Sequence, residues 1–263
     1  MKKDVFYKVG QLTVSAIVLA SSQNILAHTR MEYSTVVENT KSYNAMVTGH
    51  GCKALSGSAK LPVIATNYVF PDGTDSTVWV GLVKKTDLVT DDVISWGGLF
   101  SFIPSREVYN KNGINWGRDA THGDPVGGYQ WDGSLGGDKY LGLNTFRMSA
   151  AVIPADSCAK SVTFQVAAID VCKITTLAAA TENTLNVWAP AVGSVWDHAG
   201  SAGTADYNSP ATYKITRDTT TNPIPVRNGL LQTCGAGFDY IVKPSAVQLN
   251  HDLPIPGVYP KSH

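Results

Sequence analysis

Pro62-Val63-Ile64-Ala65-Thr66-Asn67-Tyr68-Val69-Phe70, closed by Pro71-Asp72-Gly73, is the segment that decides the fold. Nine residues rich in β-branched and aromatic side chains, bounded by a turn tripeptide, read as one strand of a sheet. Working outward, residues 35–47 alternate loosely and stop at the breaker Gly49-His50-Gly51, and Val78-Trp79-Val80-Gly81-Leu82-Val83 continues the pattern beyond the turn. Thr145-Phe146-Arg147-Met148-Ser149-Ala150-Ala151-Val152-Ile153-Pro154 and residues 162–171 supply two more strands, the second closed by Cys172. Asn186-Val187-Trp188-Ala189-Pro190 reads as an edge, because proline withholds a ladder donor. Short strands punctuated by turns, without a sustained helical period, predict an all-β sandwich.

The remaining stretches are less regular. Residues 95–142 are rich in glycine, asparagine and aspartate and carry Trp96, Trp116, Trp131 and His122. They are too long for a bare connection and predict short strands among loops. After Pro190 the composition shifts to small and polar residues, so residues 191–263 are expected to form a loop-rich extension packed on the sandwich domain of residues 28–190. Its end, Leu253-Pro254-Ile255-Pro256-Gly257, is too proline-rich for a stable helix.

Residues 1–27 read as a secretory signal: Lys2, Lys3 and Lys8 precede an apolar run at 12–20, and Ile25-Leu26-Ala27 ends in a small residue. Cleavage after Ala27 would make His28, in His28-Thr29-Arg30-Met31-Glu32, the first residue of an exported protein, periplasmic, secreted or held at the cell surface. Its α-amine and imidazole would then form a chelate through Nδ1, a two-nitrogen grip that suits Cu(II). Of 21 basic and 21 acidic residues, the signal holds three lysines and one aspartate, which leaves the rest with a net charge of −2. No basic stripe with interleaved aromatics suggests nucleic acid as a partner. Beyond the signal no apolar run approaches the roughly 20 residues of a membrane span. The four cysteines, Cys52, Cys158, Cys172 and Cys234, are expected to form disulfides in an exported chain, with three pairings open.

The ordered series of these pieces resembles the YcnI-like family of secreted copper-binding domains. His28-Thr29 is similar to that family's leading histidine, and His50-Gly51-Cys52 to its His-Gly-Cys tripeptide at the end of the first strand. Phe70-Pro71-Asp72-Gly73, the strand from Phe146 to Pro154, the strand from Phe164 to Cys172 and Trp188-Ala189-Pro190 follow in matching order. The resemblance covers residues 28–190 and is weak between Lys84 and Asn144. It implies an immunoglobulin-like β-sandwich that holds copper through His28, a carboxylate and a nearby tryptophan, carried over as Trp188. The family's glutamate falls near Ser42-Tyr43-Asn44 here, so Glu38 or Glu32 would serve only in a different register, and His50 is the alternative donor. The same resemblance implies a Cys52–Cys172 bridge, leaving Cys158 and Cys234 to staple the extension. It implies a copper ion as cargo and a copper transporter or metalloenzyme as recipient.

Other readings compete. Trp196-Asp197-His198 is similar to the Trp-x-His segment of methanotroph surface copper proteins and, with His122, forms a candidate second site. A leading histidine also heads copper-dependent polysaccharide monooxygenases of the histidine-brace type, although their surrounding pattern is missing. No Gly-x-Ser-x-Gly elbow supports a hydrolase. A glycan- or protein-binding β-sandwich is the third alternative, and enzymatic turnover is the less favoured expectation.

Overall fold

The computed structural model describes residues 28–54, 60–95, 126–135, 141–148, 151–189, 193–200 and 209–259, with the backbone of 101–102 and 114–116. Residues 1–27, expected to be a signal, and His122 lie outside the described residues. In chain order the elements are β1 (Arg30–Met31), β2 (Thr35–Val37), β3 (Ser42–Thr48), β4 (Ala65–Val69), β5 (Ser76–Val80), β6 (Val83–Lys85), β7 (Ser101–Phe102) and β8 (Ile114–Trp116). They continue with β9 (Gly127–Gln130), β10 (Gly142–Met148), β11 (Ala159–Val171), β12 (Leu185–Trp188), β13 (Ala211–Thr216), β14 (Phe238–Pro244) and a short helix, α1 (Ala246–Asp252). The protein is all-β, as the turn-punctuated pattern predicts.

Two sheets enclose the main core. The smaller runs β1-β3-β10-β7, and the larger runs β6-β5-β14-β11-β4-β9-β8, with β12 and β13 also paired to β11 and β2 paired to β13. β10 shows why they stack: Asn144, Phe146 and Met148 are buried while Leu143 and Arg147 are exposed, the two-residue period of a strand with one face inward. Met46, Phe146 and Met148 from the small sheet meet Val162, Phe164, Tyr213, Tyr240 and Val242 from the large one.

β11 is the spine. Its first half pairs with β13 and, in parallel, with β14; its second half pairs with β4 and β12. Val162, Phe164, Val166 and Ala168 enter the core between the sheets, whereas Ala167, Ile169 and Val171 enter a second core on the outer face. Alternation along one strand thus divides its side chains between two apolar layers. Leu249, Leu253, Ile255, Val258 and Trp196 cover that outer face. Truncating Leu249, which is fully buried, to alanine is expected to cost about 2–5 kcal/mol, read by urea unfolding.

Two expectations change here. The run 78–83 is a hairpin rather than one strand, because Gly81 at φ +57 turns the chain and Val80 pairs with Val83. A two-residue turn of this kind needs a left-handed first position, which glycine adopts without steric cost. Residues 191–263 are not only loops packed on the outside: β13 and β14 lie against the spine, and Tyr213, Ile215, Tyr240 and Val242 are part of the main core. A boundary at 190 therefore divides no core. The proline-rich end at 253–257 is not helical, as its composition predicts; α1 stops just before it, and Ser245 Oγ caps that helix by accepting from the Gln248 backbone N–H at 3.1 Å.

Candidate functional site

The site begins with register. Arg30 pairs with Val47 and Met31 with Met46, so continuing that ladder backwards brings Thr29 toward Thr48 and His28 toward the Gly49-His50 turn. On the other sheet Trp188 pairs with Ala168, two residues before Asp170 on the same strand face. Strand pairing alone delivers the first residues of β1, the end of β3 and the edge of β12 to one end of the sandwich.

Both candidate histidines meet the same indole there. The His28 ring stacks on Trp188 at a centroid distance of 4.9 Å and an interplanar angle of 29°. The His50 ring meets Trp188 edge-on, at 6.1 Å and 75°. His50 Nδ1 lies 2.6 Å from the Gly51 carbonyl oxygen, which can only accept, so Nδ1 carries the proton and the ring lone pair resides on Nε2. A backbone carbonyl receiving one ring N–H is also the usual means of fixing a ligating imidazole.

Beneath the indole lies Asp170, with no solvent exposure. Its Oδ2 accepts from Thr29 Oγ1 at 2.7 Å and from Trp188 Nε1 at 3.0 Å, and its Oδ1 accepts from Thr48 Oγ1 at 3.4 Å. All three partners are neutral. Burial therefore outweighs the hydrogen bonds and pushes the carboxyl up from its ordinary value to about 6. The polar string continues inward: Thr48 contacts the Tyr68 hydroxyl, Asn144 donates to that hydroxyl, and Gln130 donates to Asn144.

A sign follows for pH. With the folded pKa above the unfolded one, the native state holds the extra proton between about pH 4 and 6. Its full contribution is present below the unfolded value and is lost as pH rises through 6, by an amount on the order of 3 kcal/mol. Unfolding of metal-free protein from pH 4 to 7 should show this decline, and Asp170→Asn should remove its share. An unchanged slope in the variant would refute the assignment.

A disulfide fixes the His50 turn to this floor. Cys52 is bonded to Cys172, two residues beyond Asp170, and Cys158 to Cys234, so all four cysteines are paired. Val63 and Leu135 pack around the first bridge in a small apolar cluster.

Other candidate residues fall elsewhere. Glu38 is a correction: its carboxylate accepts from the backbone N–H of Ile153 at 2.7 Å and of Asp218 at 2.8 Å, and from Asn222 Nδ2. It sits where β2 joins β13 beside Ser161, roughly 20–25 Å along the spine from the Trp188 pairing. Glu32 is exposed just past β1. Of the second candidate site only Trp196 and His198 fall among the described residues, His122 lying outside them. Trp196 is fully buried in the outer core, edge-on to Tyr259, whereas the His198 side chain is 83% exposed beside Asp197.

Among the described residues no group of three or more His, Cys, Asp or Glu side chains is arranged to hold a metal. The two imidazoles beside one indole are nitrogen donors, and the His28 α-amine, once free, would be a third that belongs to the backbone and to no side chain. Asp170 was absent from the sequence candidates. Its signal was an acid inside the apolar run 162–171, two residues before a cysteine, in a strand where an unpaired charge is costly. The chain matches no protein-family model and no curated protein sequence. What fold and site define is the class: an all-β protein with two disulfides and a two-histidine, one-tryptophan cluster at one end of its sheets.

Proposed function

We propose that this chain is an exported copper-binding protein, an immunoglobulin-like β-sandwich of the YcnI-like kind that acquires, stores or delivers one copper ion. The observation that carries the reading is the meeting of His28 and His50 on Trp188. Export with cleavage after Ala27 gives His28 a free α-amine, so amine and Nδ1 chelate the ion and His50 contributes Nε2, while Trp188 shields the pair. Two disulfides support an oxidising compartment, and no helix among the described residues is long and apolar enough to cross a membrane. The copper ion is cargo here, passed to a transporter or metalloenzyme recipient.

The stacked indole favours carriage over turnover, because it occupies space beside His28 that an oxygen-activating histidine brace keeps open. Exported protein should show His28 as its first residue by mass spectrometry and bind one Cu(II) in competition with a chelator. It should consume no oxygen with ascorbate and polysaccharide. A different first residue, or no binding by the His28-terminated form, overturns the proposal.

A further inference from the structure

We infer that Asp170 is the positioning residue of the His28–His50 site: one buried carboxylate oxygen ties the residue after His28 to the indole on which the His28 ring lies. What that position serves rests on the copper reading; the clamp itself stands on geometry. The donors come from three separate places, the segment before β1, the end of β3 and β12, and the acceptor comes from the spine. The Trp188 Nε1–H bond sets the plane of the indole and so the face offered to His28. The Thr29 bond sets how residue 28 lies over that face.

Stability alone does not account for an acid at this place. Asp170 is fully buried between Ile169 and Val171, and Val166 and Ala168 on its own strand face are fully buried too. Replacing a buried charged group by a well-packed apolar one is often neutral or stabilising, so its retention points to specificity of arrangement. Thr29 is 2% exposed and Trp188 3%, so without the carboxylate two buried donors would be deprived of their acceptor. Ligating groups need placement to within about 0.5 Å and 10–20°, which loop ends do not supply unaided.

The test uses Thr29→Val, Asp170→Ala and Asp170→Asn in protein beginning at His28. In copper-free protein, NMR should show the His28 ring displaced from the Trp188 indole in the Val and Ala variants. In the Asn variant, whose amide oxygen still accepts both bonds, the ring should stay stacked. With Cu(II) added, the Val and Ala variants should bind about 10–100-fold more weakly and shift the EPR parallel g and hyperfine values, while Asn stays near wild type. Thr29→Val leaves the buried acid in place and decides the question even where Asp170→Ala fails to fold. Thr29→Val with the ring still stacked and unchanged EPR overturns the clamp, as does an Asn variant that behaves like Ala. A wild-type protein that binds no Cu(II), but whose ring leaves the indole in Thr29→Val, sinks the copper reading and upholds the clamp.

Discussion

His28→Ala should weaken Cu(II) binding by more than about 100-fold, since loss of a group that merely supports a ligand already costs about 10–100-fold. The substitution removes the imidazole half of the chelate and its stacking on Trp188 together. One extra residue ahead of His28 should do equal damage by a different route, because the ring stays while its partner amine becomes an amide. Neither change removes a core side chain, so the metal-free forms should stay folded, His28→Ala giving up only its stacking on the buried Trp188, about 0.5–1.5 kcal/mol by thermal unfolding. A chelator-competition titration checks both. Affinity within about threefold of wild type for either variant would exclude an amine–imidazole grip, given that threefold is well under one tenfold step of about 1.4 kcal/mol.

Removing the Cys52–Cys172 bridge is the second large effect. The double alanine variant should lose about 3–5 kcal/mol of stability, as cross-links closing loops of this length do when they constrain the unfolded chain. It should also bind copper more weakly, because His50 is two residues from Cys52 and the floor residue Asp170 is two from Cys172. The Cys158–Cys234 bridge is the control. Its removal should cost comparable stability, for its sequence separation of 76 against 120 changes the closure term little, yet leave copper affinity in the folded fraction near wild type. Urea unfolding together with copper titration separates these outcomes.

How much of this was legible in the sequence differs from element to element. The two-residue period of β10 announces its inward face, because a strand buried on one side must alternate. β14 announces itself less, since Phe238–Pro244 is preceded by Gly235 and Gly237 and its parallel partner β11 is far away in the chain. Local pattern records that a segment is strand-like; it does not record which strand it meets. His28, His50 and Trp188 were readable as a set through an ordered resemblance to secreted copper domains, and the geometry brings all three together.

Glu38 misled because residue type carries chemistry without address. A carboxylate receiving two backbone N–H groups and an amide, and an indole filling an outer core, are structural uses that spacing cannot separate from functional ones. α1 left a readable trace in Ser245 and Gln248, a capping pair three residues apart, which the prolines after it obscured.

The parallel pairing of β11 with β14 sets a timetable for biosynthesis. The partner that lies along the first half of the spine begins 79 positions after Ala159, so a ribosome-bound chain cannot complete its main core until β14 has emerged. Such long-range topology folds slowly and leaves the nascent polypeptide incompletely packed for longer. An assembly order that defers closure also holds apart Cys158 and Cys234, which stand just before these two strands, so the bridge between them waits for the same late moment.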